Sequence, residues 1–521
     1  MSSPPPVDAP LPDEREEEPP SVDEVRFEAA DEVTGLDHAN PFPERFEWQL
    51  EAEAGGGGAL ADLDDDGDLD VVLTALNDRN GVFLNDGSGA FTRVEDSGLE
   101  SGLGTHAVTS ADFNGDRYPD LLLHDVGSVR LFEGSGDGRF NELMPLVEFG
   151  DDLGSVGAAI TDADGDGDLD IYLMIHERIP SGSGHDGLQG AHDMLFLGAG
   201  DMVWEDAGHL LPDSRQGATF AATWIDIDED DDLDLYVVRD HGERLAPNAL
   251  FLNPGTPETP WAEAAGDFGL DVAMNAMGIA WGDIDGLHGA EIVISDTRST
   301  LRTLSMLDGY GTDVTHVIGS NPDQEAIHRI GWGTELVDVD DDGDLDLLAA
   351  WGHKDYNTHD EPPRPQPMSL HINAGGRLHD RSRRLPPALG AFHRGVLYGD
   401  LDGDGTLDVL TTSLFGPTMV LAGVPTDNHH LEVRLDSGDV DNRDGLGSVV
   451  EVTMPDGTHQ RRMIAAGATG VHSSLPPVAR FGLGSQAPDR VSVQWPDGSR
   501  TDVSVDDVDR QILVGRDGLL D

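Results

Sequence analysis

Short apolar runs recur along the chain, each just after an acidic stretch. They are Val71 to Thr74, Leu121 to Leu123, Ile171 to Met174, Leu235 to Val238 and Leu347 to Ala350. Runs this short, bounded by Gly and Asp, predict buried strands. Before each acidic stretch lies a small-residue segment, such as Gly58-Ala59-Leu60 or Gly157-Ala158-Ala159-Ile160, suited to a crowded inner strand. A third segment follows (Val82 to Asn85, Val129 to Phe132, Leu195 to Leu197, Leu250 to Asn253), then a fourth around Phe91 to Val94, Val203 to Glu205 or Trp261 to Glu263. Four short antiparallel strands per unit, repeated seven times, predict an all-β fold: a seven-bladed β-propeller.

The acidic stretch itself is a nine-residue frame. Its first copy, Asp62 to Asp70, carries Asp62, Asp64, Asp66 and Asp70 at positions 1, 3, 5 and 9, Gly67 at position 6 and Asp68 at position 7. Further frames start at Asp112, Asp162, Asp226, Asp283, Asp338 and Asp400, at spacings of 50, 50, 64, 57, 55 and 62 residues. A fixed period of this size marks a repeat architecture. Alternate carboxylates of a tight loop converge on one centre, position 7 adds its carbonyl, and glycine permits the turn; that is a cage for Ca²⁺, which takes six to eight oxygens. A solvated acidic loop is the plainer alternative for one copy, but not for seven.

Composition narrows the class. The chain has 521 residues, 65 glycines and only 6% aromatics, favouring turn-rich β structure. Without cysteine it has neither disulfide nor thiolate metal site. No apolar run is long enough to span a membrane. A formal charge of −70 makes nucleic acid and anionic membranes poor partners. Lys354 is the only lysine. Adaptation to high salt accounts for such a surface, and a GC-rich genome would also deplete lysine. Residues 1–24, rich in Pro and Glu, are expected to be disordered, and no signal peptide is visible.

The D-x-D-x-D-G-x-x-D loop between first and second strands resembles the FG-GAP/VCBS repeat, over roughly residues 25–424. The resemblance implies the calcium-binding propeller of integrin α chains, and it implies up to about six Ca²⁺ ions. The ligand sets it implies are Asp62, Asp64, Asp66, Asp68 and Asp70; Asp112, Asn114, Asp116, Tyr118 and Asp120; Asp162, Asp164, Asp166, Asp168 and Asp170; Asp226, Asp228, Asp230, Asp232 and Asp234; Asp338, Asp340, Asp342, Asp344 and Asp346; and Asp400, Asp402, Asp404, Thr406 and Asp408. Two loops lack glycine at position 6, with Arg117 and Asp231 there. In the Asp283 loop Leu287 replaces a ligand and Glu291 ends the frame, so that loop is expected to bind weakly or not at all. The seventh unit lacks an outer strand; residues 25–36, with Phe27, are expected to return and close it near Val420.

Beyond residue 424 the pattern changes to alternating strands with Gly, Pro and Asp punctuation, predicting a small β-sandwich over 428–517. Asn442-Arg443-Asp444-Gly445-Leu446-Gly447, Phe481-Gly482-Leu483-Gly484 and Trp495-Pro496-Asp497-Gly498 resemble the ASPIC/UnbV domain that follows VCBS repeats in the cartilage acidic protein family. Arg480 stands where that family usually has histidine.

Insertions at about 175–193 (His176, Glu177, Arg178, His185, Asp186, His192, Asp193) and 351–368 (His353, Lys354, Asp355, Tyr356, His359) fall on the face opposite the acidic loops, with Arg239, Asp240, His241, Arg244, Arg298 and Arg302 in equivalent connections. They are ordinary polar loops, a ligand-binding rim, or a catalytic site. The expected function is an extracellular or cell-surface binding and adhesion scaffold for a protein or carbohydrate partner. The alternative is a propeller enzyme, such as a polysaccharide lyase or hydrolase.

Overall fold

The structure is a computed structural model that describes residues 27–30, 33–40, 55–76, 78–100, 104–149, 153–178, 189–256, 259–287, 289–298, 301–321, 329–352, 366–386, 392–414, 416–438, 441–467 and 472–520. The expected tail at 1–24 and the insertion residues His185, Asp186, His353, Lys354, Asp355, Tyr356 and His359 lie outside this set. The chain is all-β. Among the described residues the single α-helix is Thr315–Ile318.

Seven antiparallel four-stranded sheets follow one another. The first is Gly58–Ala61, Asp70–Leu73, Gly81–Leu84 and Thr92–Arg93. The next five begin at Thr105–Ala111, Ser155–Thr161, Thr219–Ile225, Ala276–Gly282 and Gly331–Val337. The seventh is built on His393–Gly399, Asp408–Ser413 and Met419–Gly423. First strands of successive sheets pack side by side, and that of the seventh packs on that of the first. Small residues permit this approach: a Cβ on Gly278 would lie 2.5 Å from the Trp332 carbonyl oxygen, and one on Gly333 2.8 Å from that of Arg394. Apolar clusters fill the space between neighbouring sheets.

The outer strand of the seventh sheet is Phe27–Ala29, running antiparallel to Met419–Gly423 with Phe27 opposite Gly423 and Ala29 opposite Leu421. Phe27 is 4% exposed and joins the cluster of Val409 and Leu421. The chain then bridges to the first sheet, where Thr34 exchanges backbone hydrogen bonds with Gly89 and Phe91.

Residues 429–519 form two further four-stranded sheets. His429–Asp436 pairs with Ala479–Gly484 and, in parallel, with Arg510–Gly515. Val449–Thr453 lies between His459–Met463 and Arg490–Gln494. Leu431, Val433, Val450, Phe481, Val493 and Trp495 form one core between them, and that core is continuous with Phe113, Ile160 and Leu169 at the second and third sheets.

The same C-terminal unit sends a segment in among the first strands, which the sequence does not announce. Ala466–Gly467 pairs with Ala159–Ile160 of the third sheet, and Ser473–Ser474 pairs in parallel with Gly58–Ala59 of the first. Between them His472 is buried, its Nδ1 2.9 Å from the Val156 carbonyl oxygen and its ring edge-on to His106 and Phe220. Glycine makes the room: a Cβ on Gly395 or Gly57 would collide with Ser473 or His472.

Candidate functional site

Each acidic frame connects the first strand of a sheet to its second, and the seven frames share one hydrogen-bond plan. The position 1 carboxylate accepts N–H groups from across its own turn: Asp62 from Asp66 and Gly67, Asp338 from Asp342 and Gly343, Asp400 from Gly403 and Gly405. Such turns require left-handed backbone at position 6, where φ is 97° at Gly67, 82° at Arg117 and 73° at Asp231. Arg117 and Asp231 therefore hold the glycine conformation at a strain cost, and the loop shape survives the substitutions. Position 4 is left-handed too, at Asp65, Gly115, Gly165, Glu229, Gly286, Asp341 and Gly403. The glycines at four of these seven positions were the available signal for it.

Position 9 is a structural clamp. One oxygen of Asp70 accepts the Leu63 N–H at 2.8 Å and the other the Asn85 N–H at 2.8 Å. Asp120, Asp170, Asp234, Asp346 and Asp408 repeat this with Gly134, Gly198, Asn253, Asn373 and Gly423. All are buried, and burial raises the carboxyls of Asp70, Asp120 and Asp234 to about 8 and that of Asp408 to about 7.

Position 3 is different. Oδ1 of Asp64, Asp164 and Asp340 is buried without any hydrogen-bond partner. An orphaned carboxylate oxygen is costly unless something positive completes it. Ligand atoms of Asp62, Asp64 and Asp66 lie within 4.8 Å of one another, as do those of Asp162, Asp164 and Asp170, of Asp226, Asp228 and Asp230, and of Asp338, Asp340 and Asp346. Burial first, then mutual repulsion, raises Asp162 to about 7 and Asp340 to about 8. Hard oxygen donors converging on a centre, with one oxygen left unsatisfied, fit a hard cation such as Ca²⁺.

On the opposite face the expected rim residues divide. Asp193 is buried, accepting the Tyr172 hydroxyl, the Ile175 N–H and the Thr219 hydroxyl. Arg239 is buried and donates to the carbonyls of Pro247 and Ser214. His176 packs on Phe220. These three support the fold. Arg298 is exposed and pairs with Glu243 at 3.2 Å.

The FG-GAP-like repeat family matches residues 62–123, 117–173 and 338–411, and the ASPIC and UnbV family matches residues 438–518. The chain thus carries FG-GAP-like repeats and an ASPIC/UnbV domain. It is similar to cartilage acidic protein 1 of Xenopus tropicalis, at 24% identity over 505 residues covering 82% of this chain and 73% of the relative. The human protein of that name is 25% identical over 470 residues, covering 75% and 68%. Among solved structures, the BP39L lectin of Burkholderia pseudomallei gives a TM-score of 0.45 at 12% identity, covering 72% of this chain and 96% of the lectin. A streptogramin B lyase gives 0.41 at 12%, covering 72% and 95%.

The ASPIC/UnbV domain sits on the face of the acidic loops. Arg480, in place of the histidine expected from the resemblance, donates to Asp341 at 3.1 Å, to Glu432 at 3.0 Å and to the Gly405 carbonyl. Arg434 reaches Asp62 at 3.5 Å. Arg443 donates to the Gly115 carbonyl and Gln494 to Asp231. Five acidic loops, those starting at Asp62, Asp112, Asp226, Asp338 and Asp400, are thus touched at the turn itself. A cavity of about 690 Å³ remains at this junction, with Asp112, Asp400, His430, Asp444 and Asp509 in its wall.

Proposed function

We propose that the seven sheets are the blades of a calcium-stabilised β-propeller, that residues 428–517 form a β-sandwich capping its calcium-loop face, and that the whole serves as an extracellular or cell-surface scaffold binding a protein or carbohydrate partner. The observation that carries the calcium reading is the set of buried, unpartnered carboxylate oxygens on Asp64, Asp164 and Asp340. The ring of neighbouring first strands and the outer strand at Phe27–Ala29 support the propeller reading. The residues that would hold the ions are those at positions 1, 3, 5 and 9 with the position 7 carbonyl. Position 9 orients the loop through its two accepted N–H groups. Bound calcium supplies positive charge that offsets crowded carboxylates, and no reaction is assigned to it. Free calcium is scarce inside cells, so an external compartment suits loops of this kind.

The test of the scaffold reading is a glycan and matrix-protein array probed with the full chain in calcium and in chelator. Calcium-dependent retention without product release is the expected result. Release of cleaved glycan would favour the enzyme alternative instead.

A further inference from the structure

Histidines gather among the first strands of the sheets, around the two short strands Ala466–Gly467 and Ser473–Ser474 that the C-terminal unit inserts there. His472, beside the second of them, is 1% exposed and holds left-handed backbone at φ 62°, a strain that its contacts must maintain. Its Nδ1 bonds the Val156 carbonyl oxygen, which can only accept, so Nδ1 carries the proton and Nε2 the bare lone pair. That Nε2 is buried with no hydrogen-bond partner. His106 of the second sheet is built the same way. Its Nε2 donates to the Ser155 carbonyl at 2.6 Å, and its Nδ1 is buried and unpartnered. His124 donates from Nδ1 to the Ser155 hydroxyl, which gives its own hydrogen to the Gly157 carbonyl, and its Nε2 accepts from Thr109. All three rings are therefore neutral, and a further proton on His472 or His106 would meet no acceptor.

The groups facing His472 would repel that proton. They are His106 and His124 from the second sheet and Arg394 from the seventh, all of one sign when charged. Arg394 lies 3.7 Å over the Trp332 ring, and its neighbour His393 bonds the Thr411 hydroxyl. His176, packed on Phe220, acts on His106 with the same sign. Asp125 acts on His106 with the opposite sign, but it is engaged by Arg130 and the Thr105 hydroxyl. The paired strands Gly58–Ala61 and Ser155–Thr161 carry no carboxylate or base. We propose that His472 and the two inserted strands form an acid-sensitive latch: protonation of His472 drives them from among the first strands and loosens the C-terminal domain's hold there. Burial holds His472 and His106 below the ordinary imidazole value of 6.5, and His124 down to about 3. The latch is therefore at full strength above pH 6.5 and weakens as pH falls below it, because the released chain takes protons that the inserted chain refuses.

The test is hydrogen–deuterium exchange of the full chain at pH 7.5 and pH 5, in excess calcium, with rates corrected for the intrinsic effect of pH. The inserted strands Ala466–Gly467 and Ser473–Ser474 are expected to lose protection about tenfold at pH 5. Second strands such as Asp120–Asp125 should keep theirs. His472→Asn keeps an N–H donor near the Nδ1 position and tolerates left-handed backbone, but takes no proton in this range. Its inserted strands are expected to stay protected at both pH values. The comparison with wild type cancels any titration of the acidic loops, whether or not they hold calcium. Equal protection of the wild-type inserted strands at the two pH values would overturn the latch, and this result needs no variant to fold. An undiminished loss in His472→Asn, or a loss shared by the second strands, would overturn it as well.

Discussion

Asp70, Asp120, Asp234 and Asp408 each sit buried between two backbone N–H donors, and burial lifts them from the ordinary aspartate value of 3.8 to about 7 or 8. In the calcium-free protein the folded state therefore holds protons that the unfolded state releases above about pH 4. Between there and about pH 8 the folded state binds more protons, so stability falls as pH rises. Repulsion within a chain of formal charge −70 acts in the same direction. A bound cation favours the ionised form and opposes the trend. In chelator, melting is expected to be lower at pH 8 than at pH 5; in saturating calcium the difference should vanish or reverse. A chelated protein that gained stability toward pH 8 would contradict these assignments. Arg480 offers a second test, since its side chain is 6% exposed and holds both Asp341 and Glu432. Arg480→Ala leaves two carboxylates without their cation and is expected to cost about 3–5 kcal/mol, the usual effect of breaking a buried pair. Limited proteolysis near 424–428 should quicken in the variant, and an unchanged cleavage rate would argue against the clamp.

At the scale of elements, the frame and its period placed the acidic loops and the strands around them. Second-strand positions fell within two residues of their observed bounds because a buried apolar run after Asp-x-Asp has one place to go. Fourth strands were less legible: Thr92–Arg93 and Ala262–Glu263 are two residues long, since the aromatics Phe91 and Trp261 that flank them pack inward rather than extend the ladder. The rim was misleading in part, because polar residues in a connection say nothing of whether they turn in, as Asp193 and Arg239 do. The sequence contained no hint of the inserted strands Ala466–Gly467 and Ser473–Ser474, beside which His472 bonds across 316 residues. The outer strand of the seventh sheet was readable because the seventh unit lacked one of its own, and Phe27–Ala29 fills that place. Phe27→Ala is expected to destabilise the fold by about 3–5 kcal/mol, as buried Phe truncations do, measured by denaturant unfolding. A cost below about 0.5 kcal/mol would show that the strand does not close the ring.

Across the whole molecule, acidic loops, C-terminal sheets and inserted segment form one coupled assembly. The loops collect carboxylates on one face, and Arg434, Arg443 and Arg480 bring the C-terminal domain onto them. Its Ala466–Gly467 and Ser473–Ser474 strands tie the third sheet to the first through the middle of the ring. In the proposed scaffold, bound calcium is what allows so much charge to be folded together. Scanning calorimetry of the full chain at low ionic strength tests this most directly. The melting temperature is expected to drop strongly in excess chelator, to recover on adding calcium, and to recover in part in high salt. Superimposable melting curves with chelator and with calcium would contradict it.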